Sequence, residues 1–396
     1  MHILCDAVPF GFGPVSKLIS LAYVLADEYS CTLTFAGTGC SLDLARTCEA
    51  FAHHIEVDTA NPSACDSVLG HRITEYDGVL SVMNPEFLEW VQEHQLRTVV
   101  VDSLLPMWDE IPVPWHKATG VIIQNNHGAV ERAANELSTD RTLVVGPLLD
   151  PFLLNEGLRN AGRSGERTIL VNLGGADDPI STIPSLCGNV IQSLLVDLPA
   201  LQEFDNKLLT VGKRQHAALR GLERQGFVVR TCGHRDFLSS LATCDVFLTT
   251  PGLTGSFEAF CLGTKTCFLP PFNYSQYLNL QTFRQFGAAP LSLHWSDLGV
   301  CTELLQPRLP EERAVNLLET SISHAVSETQ AISILRELLT RHVSLAAHEP
   351  KHSYLFHFQR HFFSQNGCIG TPMAADFIIE TLTCPTGGGR GASLVE

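Results

Sequence analysis

Short apolar runs alternate with longer stretches in which apolar positions recur every three or four residues, and this alternation repeats along most of the chain. The short runs suit buried strands and the longer periodic stretches suit helices. A first series predicts strands at residues 2–8, 32–36, 98–102, 120–124 and 142–145, with an amphipathic helix over 15–28. A second predicts strands at 168–173, 207–211, 228–231, 246–249 and 266–269, with a helix over 183–195 and another running from Asn279 to about Phe286. Beyond Pro310 the pattern predicts helices over 311–324 and 329–345. Strand–helix alternation of this kind builds parallel sheets with helices on both faces. Between the series, Gly146-Pro147-Leu148-Leu149-Asp150-Pro151 and the polar, Gly-rich run 155–166 read as a linker. The expected organisation is therefore two doubly wound α/β domains, 1–150 and 151–345, then a helical segment 346–383 and a tail 384–396 whose Gly387-Gly388-Gly389 composition suits disorder. Ligands of such sheets sit beyond the carboxyl ends of the strands, so two of these domains facing each other would share one cleft.

The most informative stretch is 246–279, VFLTTPGLTGSFEAFCLGTKTCFLPPFNYSQYLN. It reads as a strand, a turn at Pro251-Gly252, a helix opening at Thr254, a second strand, and a polar loop carrying Gln276 and Asn279. A strand that feeds a Gly-containing turn and a helix N-terminus gathers unpaired N–H groups and the positive end of the helix dipole at one spot, which favours an anion. Glu258 follows about one helical turn later, where a carboxylate can accept from ribose hydroxyls. A diphosphate with a sugar at each end fits that arrangement.

Other strand ends carry further candidates. Gly11, Phe12, Gly13 and Lys17 follow the first strand, but their spacing is neither GxGxxG nor a P-loop, so ligand contact and a plain tight turn both remain open. Lys17 is a cation for an acidic substrate group or a solvated helix residue. Gly174 and Gly175 let a ligand approach the backbone, or simply make a strand-to-helix turn, while Asp177 and Asp178 before Pro179 suit a helix start. Group transfer needs a base for the acceptor, and Asp102, His127 and Asp6 are the strand-end candidates. An Asp in such a place also commonly caps a helix; VVVDS favours Asp102 as a carboxylate at the cleft edge. His234 opens a helix, so that its backbone holds a nucleobase edge or its imidazole caps the turn.

Composition narrows the partners. A net charge of -16 disfavours nucleic acid and anionic membrane surfaces. No apolar run is long enough to span a bilayer and no basic–apolar signal segment is seen at residues 1–7, so a cytoplasmic location is expected. Thirteen scattered cysteines without a CxxC pair suit a reducing compartment and small buried hydrophobes. His348, His352, His357 and His361 interleave with Phe356, Phe358, Phe362 and Phe363; without an acidic or cysteine ligand they read as a packed helix, and no metal site is expected.

The order LVNLGG, then HRDFLSSLATCDVFLTTPGLTGSFEAFCLGTKTCFLPP, then SQYLN followed by FGAA, resembles the donor domain of GT-B glycosyltransferases. It is most similar to relatives of the N-acetylglucosaminyltransferase of peptidoglycan synthesis and to macrolide and plant UDP-sugar transferases. The likeness covers about residues 168–290, and the first domain by architecture only. It implies two Rossmann-like domains facing across a cleft, the acceptor on the first and the nucleotide sugar on the second. It further implies that Gly252, Leu253, Thr254 and Gly255 hold the diphosphate, Glu258 takes the ribose hydroxyls, and Ser275 and Gln276 reach the donor sugar. Asn279 fits the family's Asn between loop and helix. The first loop, PFGFGPVSK, lacks the histidine that many relatives use as base, and the tryptophan-rich plant signature is absent. The N-terminus is also similar to that of cytosylglucuronate-synthase-like enzymes, which join a pyrimidine base to glucuronic acid from UDP-glucuronate; Lys17 is then the candidate partner of the sugar carboxylate.

The function expected from these readings is a soluble, metal-independent inverting glycosyltransferase of secondary metabolism, such as antibiotic biosynthesis. It would use a UDP-sugar co-substrate, a small-molecule acceptor and no cofactor, with a homodimer as a candidate assembly. A UDP-sugar hydrolase or 2-epimerase and a non-catalytic nucleotide-sugar-binding partner protein are the alternatives on the same scaffold.

Overall fold

A computed structural model describes residues 1–126, 128–155, 165–173, 183–298, 309–350 and 353–384. The chain divides into two compact units: Met1–Pro9, Pro14–Pro151 and the chain from Asn366 form the first, and Phe10–Gly13 with Phe152–Gln365 the second. His127, Gly174, Gly175, Asp177, Asp178, His352 and the tail from 385 lie outside the described residues.

The first unit holds a seven-stranded sheet in the order β3-β2-β1-β4-β5-β6-β7. Its strands are β1 (His2–Ala7), β2 (Thr32–Gly37), β3 (Phe51–Glu56), β4 (Gly78–Val82), β5 (Thr98–Asp102), β6 (Gly120–Gln124) and β7 (Thr142–Val145). Every neighbouring pair is parallel. β3 and β4 are additions to the strands predicted from the pattern. β3, FAHHIE, is an edge strand whose residues after Phe51 are exposed or half-buried, so it carries no apolar run. β4, GVLSV, is fully buried but only five residues long. The helix Gly13–Asp27 behind β1 is buried along most of its length.

The second unit holds five parallel strands in the order β10-β9-β8-β11-β12. They are β8 (Thr168–Asn172), β9 (Asn206–Thr210), β10 (Phe227–Arg230), β11 (Val246–Thr249) and β12 (Thr266–Phe268). Residues 291–293 extend the β12 edge: Phe268 N–H donates to Leu291 O at 2.8 Å and Leu293 N–H to Phe268 O at 2.9 Å. Gln276 and Asn279, predicted in a loop, instead lie on the helix Tyr274–Gln285, and the side chain of Asn273 caps that helix.

The last two helices part company. Tyr354–Gln365 packs in the second unit, where Phe362 stacks on Phe257 at 6.0 Å and meets Phe260 and Phe283 edge-on. Its Gln359 acts as a substitute strand: the side-chain amide accepts from Thr266 N at 3.3 Å and donates to Thr266 O at 2.9 Å and Ala288 O at 3.1 Å. The buried face thus carries Phe356, Gln359 and Phe362, while His357 and His361 are exposed. Thr371–Thr383 belongs to the first unit, where Arg97 Nη1 donates to Leu382 O at 2.9 Å. A Cβ on Gly78 would come within 2.6 Å of Leu382, and one on Gly120 within 2.8 Å of Phe377. Glycine at both strand starts thus leaves room for the side chains of this helix. Among the described residues every cysteine is free, no group of three or more side chains could hold a metal ion, and no helix is long and apolar enough to cross a membrane.

Asp6 on β1 is fully buried. Its Oδ2 accepts from Ser81 Oγ at 3.2 Å, Thr59 and Asn84 stand beside it, and Oδ1 meets no donor in hydrogen-bonding geometry. Burial pushes the carboxyl from its ordinary 3.8 up to about 7. Between those values the folded chain keeps a proton that the unfolded chain has released, so this group costs stability progressively as pH rises through the window, and no further above it. Asp6→Asn abolishes that slope. In urea denaturation its stability relative to the parent should rise by roughly 4 kcal/mol at most between pH 4 and pH 8. A difference that stays constant over the range would show that Asp6 does not titrate there.

Candidate functional site

The site is built on β11 of the second unit and on the three helices around its carboxyl end. β11 is buried throughout, and Thr249 Oγ1 donates to Asn172 O at 3.2 Å, tying it to β8. The chain then turns sharply at Thr250-Pro251-Gly252, with Gly252 N–H donating to Thr250 O at 2.7 Å. The helix Leu253–Leu262 starts at once, one residue earlier than the pattern suggests. Its N-cap is Gly252, so no side chain caps its first turn. A Cβ placed on Gly252 would meet nothing within 4 Å, and one on Gly255 would find only Glu258 Oε2, at 4.0 Å. The helix entrance therefore combines a glycine N-cap and the positive end of the helix dipole with open space beside two glycines, the conditions for an anion to approach the backbone. Leu253 and Thr254 are buried at that entrance.

The helix Tyr274–Gln285 holds the turn from behind. Asn279 Nδ2 donates to Pro251 O at 3.2 Å, and Gln276 Nε2 to Thr250 Oγ1 at 3.4 Å. Gln276 Oε1 accepts from Phe272 N at 2.9 Å, and Ser275 Oγ donates to Asn273 Oδ1 at 3.0 Å. Gln276 is thus buried and engaged with the turn.

Glu258 and His234 meet. His234 begins the helix His234–Thr243, and its Nε2 lies 2.6 Å from Glu258 Oε1. Both are buried, at 6% and 2% exposure, and His234 Nδ1 has no partner among the described residues. The imidazole neither caps its own turn nor stands alone.

A residue absent from the predicted set sits at the same sheet edge. His294 follows the 291–293 extension and packs against Tyr277 at 5.2 Å. Its Nδ1 accepts from Ser296 N at 3.1 Å, while Nε2 is buried without a partner among the described residues. Burial, aided by Arg284, holds this imidazole down at about 4. Only the Leu291-Ser292-Leu293 alternation hints at it in the sequence.

The first unit's candidates are placed differently. Asp102 is not exposed at an edge but fully buried: Oδ1 accepts from Leu104 N at 2.6 Å, and Oδ2 from the indoles of Trp108 at 2.7 Å and Trp115 at 2.8 Å. Burial pushes its carboxyl up, against the pull of these donors. These three bonds tie Asp102 to the loop after β5. Asp6 is equally enclosed. Lys17 is 2% exposed, so the solvated alternative for it falls. In the second unit's segment Phe10–Gly13, Gly11 has a φ of 64°, a conformation that favours glycine.

No protein-family model matches the chain, and no curated protein matches it in sequence. Solved structures do match. A putative UDP-N-acetylglucosamine 2-epimerase from Listeria monocytogenes is 12% identical with a TM-score of 0.51, covering 88% of this chain and 93% of that one. A UDP-glucosyltransferase from Polygonum tinctorium capable of glucosylating indoxyl, in complex with 3,4-dichloroaniline, is 13% identical with a TM-score of 0.50, covering 97% and 99%. At such identities the likeness is one of fold. The chain has the GT-B fold, with two Rossmann-like, doubly wound parallel-sheet domains.

Asn279 is the residue whose loss should report on the turn. Asn279→Ala removes the bond to Pro251 O and should cost about 1–2 kcal/mol. Asn279→Asp points an acceptor at that carbonyl and should cost more. Equal losses in thermal melts would mean that the Nδ2 bond does not hold the turn.

Proposed function

We propose that this chain transfers a sugar from a nucleoside diphosphate sugar, in the first instance a UDP-sugar, to a small-molecule acceptor with inversion at the sugar carbon. The observation that carries the reading is the helix entrance with Gly252 as its N-cap, open beside Gly252 and Gly255, with the Glu258 carboxylate on the same helix. In this reading the backbone N–H groups of Leu253, Thr254 and Gly255 and the helix dipole receive the diphosphate. They stabilise the negative charge that grows on it as the glycosidic bond breaks, the task that a divalent ion performs elsewhere. Glu258 accepts from the ribose hydroxyls. Gln276, bonded to Phe272 N and Thr250 Oγ1, keeps the turn in the shape that presents those groups. The acceptor and its base are assigned to the first unit.

A screen of UDP-, dTDP- and GDP-sugars by thermal shift tests the donor. A ligand at one hundred times its dissociation constant adds about 2.7 kcal/mol of apparent stability. Glu258→Ala should abolish the shift; a shift unchanged in that variant would count against the ribose assignment.

The likeness in fold to the putative 2-epimerase from Listeria favours keeping a second reading, 2-epimerisation or hydrolysis of a UDP-sugar. Incubation with UDP-sugars alone separates the two, since UDP released at catalytic rates without acceptor supports the second. Binding without turnover across an acceptor panel would instead support a non-catalytic partner. The finer reading, UDP-glucuronate as donor and cytosine as acceptor, is tested by Lys17→Ala turnover with UDP-glucuronate and with UDP-glucose. Equal losses with both donors would remove Lys17 from the role of carboxylate partner.

A further inference from the structure

We infer that His234 is the positioning residue for Glu258, so that a histidine–carboxylate pair, not a lone carboxylate, reads the vicinal hydroxyls of the nucleotide's ribose. The inference rests on the donor reading above.

The two side chains come from different helices and meet at 2.6 Å in a place closed to solvent. A carboxylate buried to this degree needs a hydrogen-bond donor to meet its charge. Among the described residues, that donor to Glu258 is His234 Nε2. The bond engages Oε1 and sets the plane of the carboxylate. The other oxygen, Oε2, lies on the side of Gly255, where a Cβ would find nothing nearer than Oε2 itself, at 4.0 Å. One oxygen is therefore held by protein while the second faces the space that glycine leaves. A glutamate fixed in this way has already lost the rotamer freedom that it would otherwise lose on meeting a ligand.

The imidazole depends on the carboxylate in turn. An ionised carboxylate only accepts, so Nε2 carries the proton. The opposite nitrogen, Nδ1, is buried and has no partner among the described residues. His234 thus has one anchor, Glu258, and each side chain orients the other. Ribose hydroxyls, as donors, suit the remaining Oε2.

Titration of the full chain with UDP and with 2′,3′-dideoxy-UDP, followed by calorimetry, tests this. The parent should prefer UDP. His234→Ala should weaken UDP by about tenfold, the loss of one hydrogen bond to a charged group, and the dideoxy nucleotide by less than about twofold. His234→Gln, whose amide can donate to Oε1, should regain most of the loss. In a Glu258→Gln background His234→Ala should add little, because the two residues act as one unit. Comparing two nucleotides on the same variant separates a positioning role from a general loss of folded protein. Equal weakening for both nucleotides, or a fully additive loss in the Glu258→Gln background, would overturn the pairing and leave the donor reading intact. A parent protein that binds no nucleoside diphosphate would overturn the donor reading itself.

Discussion

Parallel strand pairing constrains everything else in this chain. A parallel neighbour can be reached only by a crossover that returns to the same end of the sheet, so each strand must be followed by covering structure and every post-strand loop emerges at one edge. In the second unit the order β10-β9-β8-β11-β12 reverses direction between β8 and β11. β8 leads on to β9 on one side and β11 to β12 on the other, and such a reversal in strand order is where these sheets take ligands. The Thr250-Pro251-Gly252 turn stands at that reversal. Its position follows from topology, and its shape from the Asn279 and Gln276 side chains that hold it.

Two buried carboxylates show how differently one residue type can be used at strand and helix ends. Asp102 accepts from a backbone amide and two indole N–H groups, all from residues 104–115, and these bonds tie it to its own loop. Glu258 has one described partner, an imidazole from another helix, and its second oxygen faces the space beside a glycine. The first carboxylate has both oxygens bonded within one loop. The second keeps acceptor capacity, which is why the candidate chemistry collects around Glu258.

Much of the architecture was legible in the chain. Strands at 98–102, 120–124, 142–145 and 246–249 fall at their predicted bounds because each is a short apolar run, and three of the four are buried throughout. The edge strand FAHHIE escaped because its residues after Phe51 are exposed or half-buried and form no apolar run. Gln276 and Asn279 were misplaced in a loop because they are polar residues buried on a helix, and they blur its amphipathic signal. The division of the final helices between the two units was equally hidden, since the contacts of Leu382 and Phe377 beside Gly78 and Gly120 join residues more than two hundred apart in the chain.

By itself the sequence determined the β/α alternation, the turn before the helix at Leu253, and the placement of Glu258 one turn into that helix, because these depend on neighbours a few residues apart. The tertiary structure alone decided which polar groups pair. His234 meets Glu258 across 24 residues, Asn279 reaches Pro251 across 28, and Asp102 is claimed by two indoles. Such pairings depend on how helices pack against a sheet, and side chains that look equally available in the chain become committed or exposed only once that packing is complete.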